Sequence, residues 1–228
     1  MQCGCGYWQI ILFLGTDQHN ILPTQNYITA SCTISKSAVV KNGSEVFTNG
    51  AASPAEFFTF AYQHFQFNYP KFYKMDNLSK LGWLAAEILL KDNFDASTYQ
   101  PEQVGVVLAN ANSSLDNDLK YFESVKDIAS PGLFVYTLPN IVIGEICIRN
   151  NFKGEHALYI QNTFDAGFIE QQVNYLLNND LLQACICGWA DILGEDYKAT
   201  LFLVEKDKRG ESLLFNKTNM DDLFGVIQ

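Results

Sequence analysis

The spacing of apolar residues divides the chain into alternating strands and helices between residues 27 and 205. Continuous or alternating apolar runs predict five strands, at residues 27–35, 104–109, 157–161, 184–190 and 199–205. Segments with apolar residues at helical spacing lie between most of them. This order predicts an α/β fold in which a mixed, mostly parallel five-stranded sheet lies between helix layers. The final two strands are joined by a short turn and should be antiparallel.

Polar residues mark where the helices should begin. Residues 53–56 read Ser-Pro-Ala-Glu, a capping box with proline at the first helical position. Asp76 or Asn77 should cap a second helix. Ser113 should begin a third, which places three apolar side chains in register, Leu115, Leu119 and Phe122. Two more helices are expected, one beginning near residues 138–140 and one over residues 165–178.

The first 25 residues differ from the remainder, because they contain two Cys-Gly pairs and show no clear period. We expect residues 1–25 to be a loosely ordered extension or a start-site artefact, and residues 26–228 to form one folded domain. The alternative is an additional edge element that packs Trp8, Ile10 and Phe13 on the domain. The segment has no basic leader and no small-residue cleavage site, so we expect a cytoplasmic protein without a secretory signal.

Composition and charge exclude several classes of function. The net charge is −10 and no run of lysine or arginine occurs, which disfavours nucleic-acid binding. The sequence has no apolar run of about 18 residues, so no membrane span is expected. The six cysteines lie mostly in apolar runs, as buried thiols of a reducing compartment do. Their C-x-C pairs have no histidine at ligand spacing, and neither a metal nor a cofactor is expected.

One stretch, residues 130–167, carries a family resemblance. It contains SP-x-LFVYTLPN at residues 130–140, IGEI-x-IR at residues 143–149, a strand preceded by Gly154, and a small-residue turn into a helix at Gly167. These motifs resemble the N-terminal half of β-ketoacyl synthases of the thiolase-like fold. The similarity is greatest to the half-size branch described as chain-length-factor-like. It covers about residues 27–205.

The resemblance also shows a departure from the family. In condensing members the turn from strand to helix carries a cysteine nucleophile, whereas Phe164 stands at that position here. We therefore expect no catalytic residue in this chain. We interpret it as a non-catalytic subunit that pairs with a ketosynthase and shapes its acyl site in aryl-polyene, flexirubin-type or fatty-acid-like polyketide synthesis. Two alternatives stay open: an active 3-oxoacyl-[acyl-carrier-protein] synthase with a displaced nucleophile, and a stand-alone acyl-binding module.

The resemblance also implies contacts with partners. Candidate residues for an acyl-tunnel wall or interface are Leu115, Phe134, Tyr136, Phe164 and His156. The strand at residues 156–160 should be a sheet edge that pairs with a ketosynthase in a heterodimer, or with a second copy in a homodimer. An acyl carrier protein is a further possible partner, which the acidic balance disfavours and the small basic cluster of Lys71, Lys74 and Lys80 favours.

Overall fold

A computed structural model describes residues 25–51 and 53–226 of the chain. The strands are β1 (Tyr27–Ser35), β2 (Ala38–Lys41), β3 (Ser44–Thr48), β4 (Val104–Asn110), β5 (His156–Ile160), β6 (Ala184–Leu193), β7 (Asp196–Glu205) and β8 (Leu213–Leu214). The α-helices are α1 (Pro54–His64), α2 (Asn77–Leu90), α3 (Leu115–Ser124), α4 (Pro131–Val135), α5 (Ile141–Asn150), α6 (Ala166–Asn178) and α7 (Lys217–Phe224). Short 3₁₀ helices occupy Pro70–Lys74, Ala96–Thr98 and Pro101–Gln103.

All strands in the described residues belong to one sheet, in the order β3-β2-β1-β7-β6-β4-β5, with β8 paired to the start of β1. The predicted class is confirmed, because the sheet is mixed and helices cover both faces. The final predicted pair, β6 and β7, is antiparallel as expected. The expectation of a mostly parallel sheet was wrong. Among the described strands, the parallel pairs are β4 with β5 and β4 with β6. Strand β7 lies between β1 and β6 and is antiparallel to both.

The number of strands also differs from the prediction, since the sheet has eight strands rather than five. The predicted five are β1, β4, β5, β6 and β7. The additional hairpin β2–β3 turns at Asn42 and Gly43, whose φ angles are +50° and +78°. Positive φ at both central residues is what a tight hairpin turn requires, and Asn-Gly provides it at low cost. This signal was present in the sequence, whereas the two-residue strand β8 is too short to show any pattern.

The helices lie in two layers, each over its own hydrophobic core. Helices α1, α2 and α5 pack on one face of the sheet, around the fully buried side chains of Phe57, Leu84, Ile146 and Leu201. Helices α6 and α7 pack on the other face, around Ile169, Val173, Phe202 and Met220. Within the described residues, no helix combines the length and apolar content that crossing a bilayer requires.

The predicted helix starts are largely confirmed. The Ser53 hydroxyl accepts a hydrogen bond from the Glu56 amide at 3.3 Å, and the Asp76 carboxylate accepts one from the Ser79 amide at 3.0 Å. These contacts satisfy amides that have no partner inside the helix. Helix α3 begins at Leu115, two residues later than expected. The proposed extension, residues 1–25, lies outside the described residues except for Gln25 and stays a prediction.

Candidate functional site

Strand β5 and helix α6 position Phe164, the residue that the sequence resemblance places where condensing members carry a nucleophile. The carboxyl end of β5 lies beside the carboxyl end of β4, with Ile160 opposite Asn110. A five-residue loop then leads to α6, whose N-cap is Asp165. The Asp165 carboxylate accepts a hydrogen bond from the Phe168 amide at 3.0 Å. Phe164 therefore precedes the helix N-terminus, where free amides and the helix dipole favour negative charge.

Aromatic side chains surround Phe164. Its ring stacks on that of Phe224 from α7, with centroids 4.4 Å apart and an interplanar angle of 19°. The rings of Trp189 and Phe202 each lie with centroids 6.4 Å away. The Lys198 ammonium group sits 4.1 Å from the centroid of Phe224 and donates a hydrogen bond to its carbonyl oxygen at 2.6 Å. The Phe164 side chain is therefore packed against aromatic rings at this turn.

The described thiols have raised pKa values, whereas a cysteine that attacks an acyl group must be readily deprotonated. Burial raises the pKa of Cys147 to about 11 and that of Cys185 to about 12. Burial also raises the pKa of Cys32 to about 12, although Lys41 opposes it, and that of Cys187 well above its ordinary value. A nucleophilic cysteine needs the opposite shift, because the thiolate is the reactive form.

The two described histidines lie apart from this turn. His64 is exposed on α1, with its ring 4.6 Å from that of Phe47. His156 is exposed at the first residue of β5. Phe164 follows the opposite end of that strand, which spans about 13 Å at the usual rise per residue. The structure thus does not bring His156 and Phe164 together.

The other candidate residues, together with Phe164, occupy three different environments. Leu115 and Phe134 lie exposed on α3 and α4, with exposed fractions of 40% and 59%. Tyr136 is buried and donates a hydrogen bond to Glu145 at 3.2 Å. Burial and the Glu145 charge both raise the pKa of Tyr136. Tyr136 belongs to the core under α2 and α5, whereas Phe164 packs against the core under α6 and α7. These four of the five candidates therefore do not form one wall within this chain, and His156 lies apart from them at the start of β5.

The structure adds residues that the sequence reasoning missed. Asp191, near the carboxyl end of β6, accepts hydrogen bonds from the amides of Ala111 and Asn112 at 3.1 and 2.9 Å, and from the Asn112 side chain at 2.7 Å. It thereby fixes the loop that leads from β4 to α3. Phe224, which stacks on Phe164 from α7, was also missed. Within the described part of the chain, no three His, Cys, Asp or Glu side chains are placed to hold a metal ion.

No protein-family model and no curated protein matches the sequence. Solved structures do match. A structure of the ishigamide ketosynthase/chain length factor is 17% identical, with a TM-score of 0.58, and the match covers 82% of this chain and 63% of that one. The chain has the fold of ketosynthases and chain length factors. The resemblance found in the sequence is thus confirmed at the level of the thiolase-like fold.

Further structures with this fold come from complexes. One contains AntDE with AntF, a type II polyketide synthase acyl-carrier protein in complex with its ketosynthase, at 14% identity and a TM-score of 0.53, covering 81% of this chain and 64% of that one. Another is the ketosynthase ApeO with its chain length factor ApeC from Xenorhabdus doucetiae, at 10% identity and a TM-score of 0.52, covering 81% and 79%. The chain spans less than two thirds of the length of the first two structures.

Proposed function

We propose that this chain is a non-catalytic, chain-length-factor-like subunit that pairs with a ketosynthase and shapes its acyl site. The observation that carries the proposal is the placement of Phe164. A phenyl ring stands at the turn into α6, packed against Phe224 and close to Trp189 and Phe202. Acyl transfer needs a nucleophilic atom at such a turn, and a phenyl ring has none.

The state of the cysteines supports the same conclusion. A displaced nucleophile would need a thiol of lowered pKa beside a base. Burial instead raises the pKa of Cys32, Cys147, Cys185 and Cys187. The described thiols are free, in keeping with a reducing, cytoplasmic environment.

The edge strand β5 supports pairing with another subunit. It ends the sheet, with β4 on one side, and its last residue, Ile160, is 54% exposed. A free sheet edge offers backbone donors and acceptors to a second strand. We propose that the partner is a ketosynthase in a heterodimer, with a homodimer through residues 156–160 as the alternative. Polyketide synthesis of the aryl-polyene, flexirubin or fatty-acid-like type is the proposed context, and an acyl carrier protein would dock on the complex.

Co-expression with a candidate ketosynthase tests the proposal. The two chains should purify together as a heterodimer. The isolated chain, incubated with acyl carrier substrates, should show no added acyl mass; a covalent acyl adduct would instead support the active synthase.

A pair of matched variants tests the interface. Ile160→Asp places a charge on β5, whereas Ile148→Asp places one on α5, where the isoleucine is also exposed (68%). We expect only Ile160→Asp to abolish the heterodimer. Equal behaviour of the two variants would contradict pairing through β5.

A further inference from the structure

Two Asn-Gly pairs flank strand β3, Asn42-Gly43 before it and Asn49-Gly50 after it. An asparagine followed by glycine is chemically labile, because glycine has no Cβ to shield its amide nitrogen. That nitrogen can attack the side-chain carbonyl carbon of the asparagine and close a five-membered ring. The asparagine side chain and the glycine amide must both be free to approach each other. The surroundings of each pair therefore decide how fast it reacts.

Asn42 is held in the hairpin turn by two hydrogen bonds to one residue of β1. Its Oδ1 atom accepts a hydrogen bond from the Ser31 amide at 2.8 Å, and its own amide donates one to the Ser31 carbonyl oxygen at 2.9 Å. On either side of the turn, Lys41 and Ser44 are paired in the β2–β3 ladder. The side-chain carbonyl of Asn42 is thus directed at β1, and attack by the Gly43 amide requires the hairpin to open.

Asn49 directly follows the last residue of β3 and is held less tightly. Its amide donates a hydrogen bond to the Ser37 carbonyl oxygen at 3.0 Å, but its side chain makes no hydrogen bond to another described residue. Gly50 is exposed and lies outside the helices and strands, and its amide donates to no described residue either. The two groups that must meet are therefore free to move without the loss of a hydrogen bond.

We propose that Asn49 is a site of spontaneous deamidation in the folded chain, and that the fold protects Asn42 although it belongs to the same dipeptide. The Gly50 nitrogen gives its proton to hydroxide and bonds to Cγ of Asn49. The Cγ–Nδ2 bond breaks, and Nδ2 takes a proton from water and leaves as ammonia. Water then opens the succinimide: addition at Cγ yields aspartate, and addition at the backbone carbonyl carbon yields isoaspartate. Water and its hydroxide are the only co-reactants.

The reaction changes both the charge and the backbone of the chain. Either product adds one negative charge to a chain whose net charge is already −10. Isoaspartate also lengthens the backbone by one methylene group at Asn49, in the link between β3 and α1. An aged preparation should therefore contain more acidic forms of the chain, all altered at this link.

Peptide mass spectrometry of the purified chain, incubated in mildly alkaline buffer, tests the proposal. Cleavage after Glu45 places the two asparagines on separate peptides. We expect Asn49 to deamidate about tenfold faster than Asn42 or more, because two hydrogen bonds of ordinary net strength hold Asn42 in place. In concentrated urea the two rates should differ by less than about twofold, because unfolding removes the turn that protects Asn42.

The matched variant is Gly50→Ala, where an added Cβ meets no heavy atom within 4 Å. It should slow deamidation of Asn49 several-fold, because the methyl group shields the amide nitrogen, and should leave the rate at Asn42 unchanged. Circular dichroism establishes that the incubated chain and the variant are folded. Equal rates at the two sites in the folded chain, or a faster rate at Asn42, would overturn the proposal. So would the same ratio of rates in buffer and in urea, or an Asn49 that stays intact in the folded chain.

Discussion

The ring of Phe164, in the turn before α6, stacks on the ring of Phe224 at the end of α7. The contribution of this stack to the free energy of unfolding can be measured. Replacing each ring with alanine, singly and together, forms a double-mutant cycle. If the two rings support each other, the effects of the single substitutions should not add. Phe122→Ala is the control, because that ring is exposed on α3 and makes no contact with this cluster.

The geometry sets the expected size. A fully buried phenylalanine loses about 3–5 kcal/mol on truncation to alanine. Both rings are half-buried, so each single variant should lose about 2 kcal/mol. A stacked pair contributes about 0.5–1.5 kcal/mol beyond burial. Because that contribution is lost in either single variant, the double variant should lose about 3 kcal/mol rather than about 4.

Urea unfolding followed by circular dichroism provides the free energies, provided that the slopes with denaturant stay constant. We expect a coupling of about 1 kcal/mol and a loss below about 0.5 kcal/mol for Phe122→Ala. Strict additivity of the two single variants would refute the idea that α7 closes the space at Phe164.

Three further predictions concern the backbone, a buried acid and the thiols. Gly188→Ala should lower the free energy of unfolding in urea by about 3 kcal/mol, because the added Cβ would lie 2.1 Å from the Thr200 carbonyl oxygen and the φ angle is +139°. The control is Gly144→Ala on α5, where an added Cβ meets no heavy atom within 4 Å, and this variant should raise the free energy of unfolding by about 0.5–1 kcal/mol. Equal effects of the two variants would contradict this reasoning. Burial raises the pKa of Asp76 in the folded protein. The contribution of Asp76 to the free energy of unfolding is therefore greatest below the pKa that it has in the unfolded chain. That contribution is lost as pH rises through its pKa in the folded protein. Asp76→Asn, which keeps the cap, should therefore be more stable than wild type at neutral pH, and the gap should close on acidification; a gap independent of pH would show that the carboxylate is not destabilised. Burial raises the pKa of four thiols, namely Cys32, Cys147, Cys185 and Cys187. Alkylation of the native protein at about pH 8, followed by peptide mass spectrometry, should leave these thiols unmodified. Rapid modification of any of them would contradict their assignment as inert.

Much of the fold could be predicted because its signals are local. The apolar run of β4 and the alternating residues of β1 identify strands without knowledge of their neighbours. The caps at Ser53 and Asp76 likewise depend on contacts within one turn. Strand order depends on long-range pairing, and no local signal places β7 between β1 and β6.

The site was predictable only in part, for the same reason. The position of Phe164 follows from the motif around it, but the aromatic cluster that encloses it includes Phe224, some 60 residues later. The apolar spacing of Leu115, Leu119 and Phe122 correctly indicates a helix. That spacing cannot distinguish a side that packs on the sheet from one that faces solvent, because burial by a partner leaves the same pattern as burial in a core.

The two margins of the sheet are unlike each other. At one end lies β3, a short strand whose side chains are mostly exposed and include Ser44 and Glu45, and whose pairing with β2 is interrupted by a bulge. Such features discourage addition of another strand. At the other end lies β5, with Ala157, Leu158 and Ile160. In the described sheet, β5 is the edge strand better suited to pairing with another chain. If two chains pair through β5, neither has a second such edge free, so assembly would stop at two chains and would not continue into a fibre.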